Sequence, residues 1–182
     1  MIGHSHATLT DTLARASCLA AFFAFSPGTN AGSDSTDRLH AVFVGDTTAI
    51  PVNVNENSLI DLINHERKRR GLHALSADSR LMLAAMEHSE DMANGGFLVH
   101  RGSDGLEPDE RVASQGYRWR FTAENIGCGY RTPEALLQGW LSSPGHRANL
   151  LSREAKDIGV ALAERRDDKC RYYWTAVFAS RR

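Results

Sequence analysis

The sequence predicts an α+β fold, a three-layer α-β-α sandwich around a central antiparallel sheet. Three observations carry that reading. Apolar residues recur at helical spacing between recognisable caps over about residues 58–70, 78–94 and 133–142. Two strand-like runs, 158–163 and 172–179, close the chain and are joined by the charged stretch 164–169, so an antiparallel hairpin is their natural pairing. Helices and strands interleave irregularly and not as repeated βαβ units, which favours helices on both faces of an antiparallel sheet.

The first helix is expected from Ser58, which with Asp61 resembles a weak capping box. Leu59, Leu62, Ile63 and Glu66 follow at helical spacing. Gly71 stops the helix after a basic last turn, whose cations suit a helix C-terminus. Ser76 or Asp78 caps a second helix with the face Leu81, Ala84, Ala85, His88 and Met92, ended by Asn94-Gly95-Gly96. His88 shares that apolar face, so it reads as a hydrogen-bonded core histidine and not as a ligand. A short helix begins at Pro108 and ends before Gly116, and residues 118–126 form a strand with poor alternation. Thr132 and Pro133 open another helix as N-cap and first residue. Pro144-Gly145 is expected to break it, with a short turn at 147–151.

Composition bounds the function. With 182 residues there is room for one domain of ordinary size. Lys and Arg (21) balance Asp and Glu (22), so the electrostatic footprint of a general nucleic-acid binder is missing. No apolar run approaches the roughly 18 residues of a membrane span, so no transmembrane anchor is expected. The apolar stretch 16–25 has instead the length of a signal-peptide core, with Arg15 before it and small residues at Thr29 and Ala31 for cleavage after Ala31. The expected organisation is a signal peptide at 1–31, a polar leader at 32–56 containing a short run at 41–44, and one folded domain at 57–182. Export to the periplasm or the extracellular space follows.

Three cysteines become two under that reading. Cys18 opens the apolar run with Arg15 close before it, which speaks against lipidation, and it leaves with the signal. Cys128 and Cys170 remain, an even pair that in an exported protein suggests a disulfide, the alternative being two separate buried thiols.

The chain contains no GxSxG elbow, phosphate loop, HExxH or CxxC, and Gly127-Cys128-Gly129 lacks the third glycine of a dinucleotide fingerprint. What remains are His100 and His146 in turn-rich settings and Glu124 before a glycine-rich bend, the sort of loop positions where functional side chains concentrate.

Several blocks resemble the bacterial branch of the CAP superfamily: cysteine-rich secretory proteins, antigen 5 and pathogenesis-related proteins, or the SCP domain. They are Ile63-Asn64-His65-Glu66-Arg67 with Gly71-Leu72; His88-Ser89 with Asp91-Met92-Ala93; His100 with Asp104-Gly105 and Arg111; Glu124-Asn125-Ile126; Trp140-Leu141 with Ser143-Pro144-Gly145-His146-Arg147 and Asn149-Leu150; Ile158-Gly159-Val160; and Tyr173-Trp174-Thr175 with Phe178. They keep the family's order across residues 58–179. The resemblance implies a surface cavity lined by His100, His146 and Glu124. The family's second acid would fall at Ser143, so it is missing, and Asp104 is the available substitute. For Asn64, Arg67, Asp104, Arg111 and Asn125 the reading is buried ties between loops and helix ends; Trp140 and Trp174 read as core.

Two imidazoles and a carboxylate suit a divalent metal such as zinc, with His100 and His146 as ligands, or general-base chemistry by Glu124, or simple ligand binding. No cofactor is required. The leading expectation is a monomeric exported CAP-domain protein whose cavity binds a metal ion or a small ligand, such as a lipid or cell-envelope component, without established catalysis. The alternatives are a structural or adhesion module at the envelope, and a metal-assisted hydrolase or peptidase.

Overall fold

The computed structural model describes residues 54–182. The expected signal segment and the leader up to residue 53, with the run at 41–44, lie outside the described residues. Helices α1 (Val54–Arg69), α2 (Ser79–Gly95), α3 (Pro108–Ser114), α4 (Pro133–Ser142) and α5 (Pro144–Leu150) surround strands β1 (Ser76–Ala77), β2 (Trp119–Cys128), β3 (Asp157–Glu164) and β4 (Tyr172–Arg181). None of the described helices is long and apolar enough to cross a membrane.

Local chemistry places the ends of most helices. Asp78 accepts from the Arg80 amide at 3.0 Å and caps α2. Gly96 closes that helix at φ +67°, a left-handed conformation that glycine adopts without a Cβ clash. Thr132 caps α4, with Pro133 at its first position. Ser143 ends α4 and begins α5, because Pro144 takes the first position of a new helix. The expected break is therefore a junction between two helices, and the expected turn at 147–151 is mostly the body of α5. Helix α1 starts at Val54, ahead of Ser58. Its first turn is held from outside, since the Glu56 carboxylate accepts from the Leu162 amide of β3 at 2.9 Å.

The sheet order is β1-β3-β4-β2. β4 lies between antiparallel partners on both sides, and the two-residue β1 adds a parallel edge to β3. The three long strands thus form the expected antiparallel sheet. Every residue of β4 from Tyr173 to Ser180 is buried, and its side chains alternate between layers. Trp174, Ala176 and Phe178 pack with Leu59 and Ile63 of α1 and Leu136 and Trp140 of α4. Val177 and Ala179 pack with Leu81, Ala84 and Ala85 of α2, together with Val112 and Tyr117. That is the α-β-α sandwich.

Trp140 and Trp174 are core, at 2% and 0% exposure, and each indole N–H is satisfied by a carbonyl, Ile126 and Tyr130 respectively, at 2.9 Å. Buried Arg67 donates to the carbonyls of His73, Leu150 and Ser152, and Asn64 exchanges two hydrogen bonds with the Leu75 backbone. These are the loop ties read from the sequence. Cys128 and Cys170 are joined by a disulfide between the end of β2 and the β3–β4 connection.

Candidate functional site

The loop after α2 carries His100 over the middle of β2. Two buried side chains hold it there. His88 of α2 bonds the Val99 carbonyl through Nε2 at 3.0 Å. Arg111 of α3 donates to the carbonyls of His100 and Leu106, both at 2.8 Å. The loop backbone is therefore fixed on either side of His100 before its imidazole meets anything.

The His100 ring reaches Glu124 on β2, with Nδ1 2.8 Å from Oε1. A carboxylate only accepts, so Nδ1 carries the proton and the Nε2 lone pair is left to a side chain that is 48% exposed. Arg111 Nη2 donates to the other carboxylate oxygen of Glu124 at 2.8 Å, and His88 Nε2 lies 3.7 Å from Oε1. The Glu124 side chain is 2% exposed and both its oxygens are engaged. It orients His100 and neutralises Arg111. Burial lowers the basicity of His88, with the Arg111 charge adding to the effect and Glu124 opposing it.

His146 comes from α5. Its backbone carbonyl accepts from Asn125 at 3.0 Å, and Asn149 bonds both Asn125 Oδ1 and the Glu124 carbonyl. Buried Asn125 thus clamps α5 onto β2 next to Glu124. Partial burial, with the charge of His100 nearby, lowers the His146 pKa, so the two imidazoles lie within each other's field. The Trp140 ring packs at 6.4 Å from His146, centre to centre. Asp104 turns elsewhere: its Oδ1 accepts from the Leu106 amide at 2.9 Å and caps its own loop.

Of the residues singled out in the sequence, the structure brings His100 onto Glu124 and sets His146 beside them. Two members of the cluster, His88 and Arg111, were legible only as buried hydrogen-bonding groups. Both are so, but their shared partner Glu124 lies 36 and 13 positions away, and no local pattern announces that.

Beside His100 a depression of about 440 Å³ runs along the outer strand, lined by Pro108, Trp119, Phe121 and Ala123 and, among polar residues, by Asp109, Arg120, Thr122 and Glu124. Its lining thus mixes apolar side chains with polar ones, the His100 imidazole among them. Leu98 and Val99, directly before His100, are 42% and 51% exposed. A resident metal fits poorly. Glu124 is committed on both oxygens, and among the described residues no group of three or more His, Cys, Asp or Glu side chains could hold an ion. Two imidazoles fall short of the three protein ligands usual at an open zinc site.

A sandwich of this topology is the fold of a class of small domains. The chain belongs to the cysteine-rich secretory protein family, CAP, whose model matches residues 60–178. It is 33% identical over 120 residues to the uncharacterised Bacillus subtilis protein YkwD, an alignment covering 65% of this chain and 47% of that protein. It spans less than half the length of that relative. Among solved structures, it resembles an extracellular SCP-domain protein of Bacillus anthracis at 30% identity and TM-score 0.63, covering 70% of this chain and 40% of the other. It also resembles an outer surface protein of Borrelia burgdorferi at 22% identity and TM-score 0.65, covering 70% and 93%; that likeness is one of fold.

Proposed function

We propose that this is an exported CAP-domain protein that binds a small amphipathic ligand of the cell envelope in the depression beside His100, and does no chemistry on it. One observation carries the proposal: the depression sets Pro108, Trp119, Phe121 and Ala123 beside polar residues that include His100, a half-exposed imidazole oriented by Glu124. Apolar side chains with a few placed polar groups are the make-up of a small-molecule site. Binding is favoured over catalysis because Glu124 is buried and doubly hydrogen-bonded, so it is not free to take a proton from water. Export rests on the signal-like stretch 16–25 and on a structural relative described as extracellular.

The test uses the full chain, with palmitate and lysophosphatidylcholine as probes and tryptophan fluorescence as the readout, since Trp119 lines the depression. A saturable change that weakens in Phe121→Arg and in His100→Ala supports the reading. No change with either probe, or one indifferent to both substitutions, overturns it. Zinc calorimetry supplies the metal arm. Heat present in the parent and absent from the His100→Ala, His146→Ala double variant would establish a two-imidazole metal site in place of the lipid site.

A further inference from the structure

The helical layer of α1, α4 and α5 ends in a basic ridge. Buried Arg67, in the last turn of α1, donates to the carbonyls of Leu150 and Ser152 at 2.7 and 3.0 Å. The C-terminus of α1 is thereby fixed against the end of α5 and the connection to β3. Exposed Lys68, Arg69 and Arg70 from the one side, and exposed Arg147 and Arg153 from the other, come to the same end of the layer. The acids among them are Glu66, which pairs with Arg69 and Arg70, and Glu154. Lys68, Arg147 and Arg153 have no ion pair among the described residues.

An open groove of about 420 Å³ adjoins the ridge between α4 and α5, lined by Leu141, Ser142, Pro144, Arg147, Ala148 and Leu151. Leu141, Pro144, Ala148 and Leu151 are apolar, and the unpaired Arg147 guanidinium stands among them. Leu151 directly follows Leu150, whose carbonyl Arg67 holds, so groove and basic turn share one anchor. Apolar side chains and free cations are thus combined on one exposed surface.

The other layer has the opposite sign. α2 and α3, packed on the far face of the sheet, carry Glu87, Glu90, Asp91, Asp109 and Glu110 against Arg80 and Arg111. Arg111 is buried and neutralised by Glu124. Within the ridge's own layer, Glu134 sits at the start of α4, away from the groove at its end, and Asp61 lies about two turns before Lys68. A chain of net charge -1 is therefore polarised across its sheet. An anionic surface attracts the ridge and repels the α2–α3 layer, so it orients the domain as well as binding it.

We propose that this ridge docks the domain on an anionic phospholipid surface, its cations meeting the headgroups and the apolar side chains of the groove reaching the acyl boundary beneath them. The groove favours a bilayer over a soluble polyanion, for which cations alone would suffice. It shares no lining residue with the depression beside His100, and the docking does not depend on what that depression binds.

Vesicle flotation with the full chain tests it, comparing phosphatidylcholine vesicles with an equimolar mixture of phosphatidylcholine and phosphatidylglycerol. Binding to the anionic vesicles in excess of the neutral ones is expected, and salt should weaken it. Arg147→Glu combined with Arg153→Glu should reduce that excess at least about tenfold, since each reversal removes an attractive charge and adds a repulsive one. Ala148→Asp, at an exposed position in the groove, should reduce it too. Arg166→Glu makes the same charge change on the β3–β4 connection, beyond the end of β3 that meets the start of α1, and should leave binding within about twofold. All variants share residues 1–53, so differences among them report the folded domain. No excess on anionic vesicles, an excess that survives the double reversal, or an equal loss in Arg166→Glu overturns the proposal. Polyphosphate bound as tightly as the vesicles, with Ala148→Asp silent, would establish a soluble-polyanion site in place of the membrane.

Discussion

Arg111 and Glu124 form a buried ion pair, Nη2 to Oε2 at 2.8 Å, with side chains 4% and 2% exposed. The pair ties the His100 loop, α3 and β2 to one point, because the same guanidinium also holds two loop carbonyls. Removing one partner leaves a charge buried without compensation. Arg111→Leu is therefore expected to cost about 3–5 kcal/mol of stability, and adding Glu124→Leu to recover a good part of it. Urea unfolding of the single and double variants measures both. A single variant as stable as the parent would mean that Glu124 finds another partner.

The histidines set an acid limit. His88 and His146 are both less basic in the fold than when unfolded, chiefly through burial. A folded pKa below the unfolded value of about 6.5 means that the unfolded chain binds more protons as pH falls through that value. Stability is then complete above about pH 6.5 and declines below it, until the folded pKa values are passed. Asp78 and Asp91, also lowered, act in the same direction but only below the usual carboxylate range, near pH 4. Urea midpoints between pH 7.5 and 4.5 should fall, and the slope should shrink in a His88→Gln, His146→Gln double variant. An unchanged slope would place the linkage on other groups.

How far the sequence reveals this molecule follows from the range of each interaction. The caps at Asp78, Thr132 and Gly96 act within a few residues, and the sequence shows them directly. The start of α1 does not show, because Glu56 meets the Leu162 amide 106 positions away. Pro144 misleads as a breaker when its neighbour Ser143 already ends one helix and opens the next. β1 is two residues long and has no period to read; it exists through its pairing with β3. In the site, resemblance carried His100, Glu124 and His146, whereas the link from Glu124 to His88 and Arg111 is tertiary.

Gly159 lets β3 pack directly against the backbone of α2. A Cβ there would overlap the backbone of Leu81 and Met82, which cannot swing aside as the tip of a flexible side chain can. Gly159→Ala is expected to destabilise the fold by about 3 kcal/mol or more by prising α2 from β3. The His100 loop is held to the middle of α2 through His88, so ligand binding should weaken together with stability. Thermal unfolding and probe titration of the one variant measure both. Full stability would show that α2 can retreat without cost.

The Cys128–Cys170 bridge spans 42 positions and fastens the end of β2 to the β3–β4 connection. In the chain-entropy account, closing a loop of that length restricts the unfolded chain by about 4 kcal/mol. The bridge stands at the opposite end of β2 from Trp119 and the apolar depression, and Glu124 lies between them on the strand. Paired Cys128→Ser and Cys170→Ser substitutions should therefore lower the urea midpoint steeply while leaving probe affinity at His100 within about twofold, for as long as the domain stays folded. Thiol labelling of the denatured, unreduced parent should find neither Cys128 nor Cys170 reactive. Two reactive thiols would exclude the bridge. A stability loss below about 1 kcal/mol in the double variant would show that the unfolded chain is already compact around that loop.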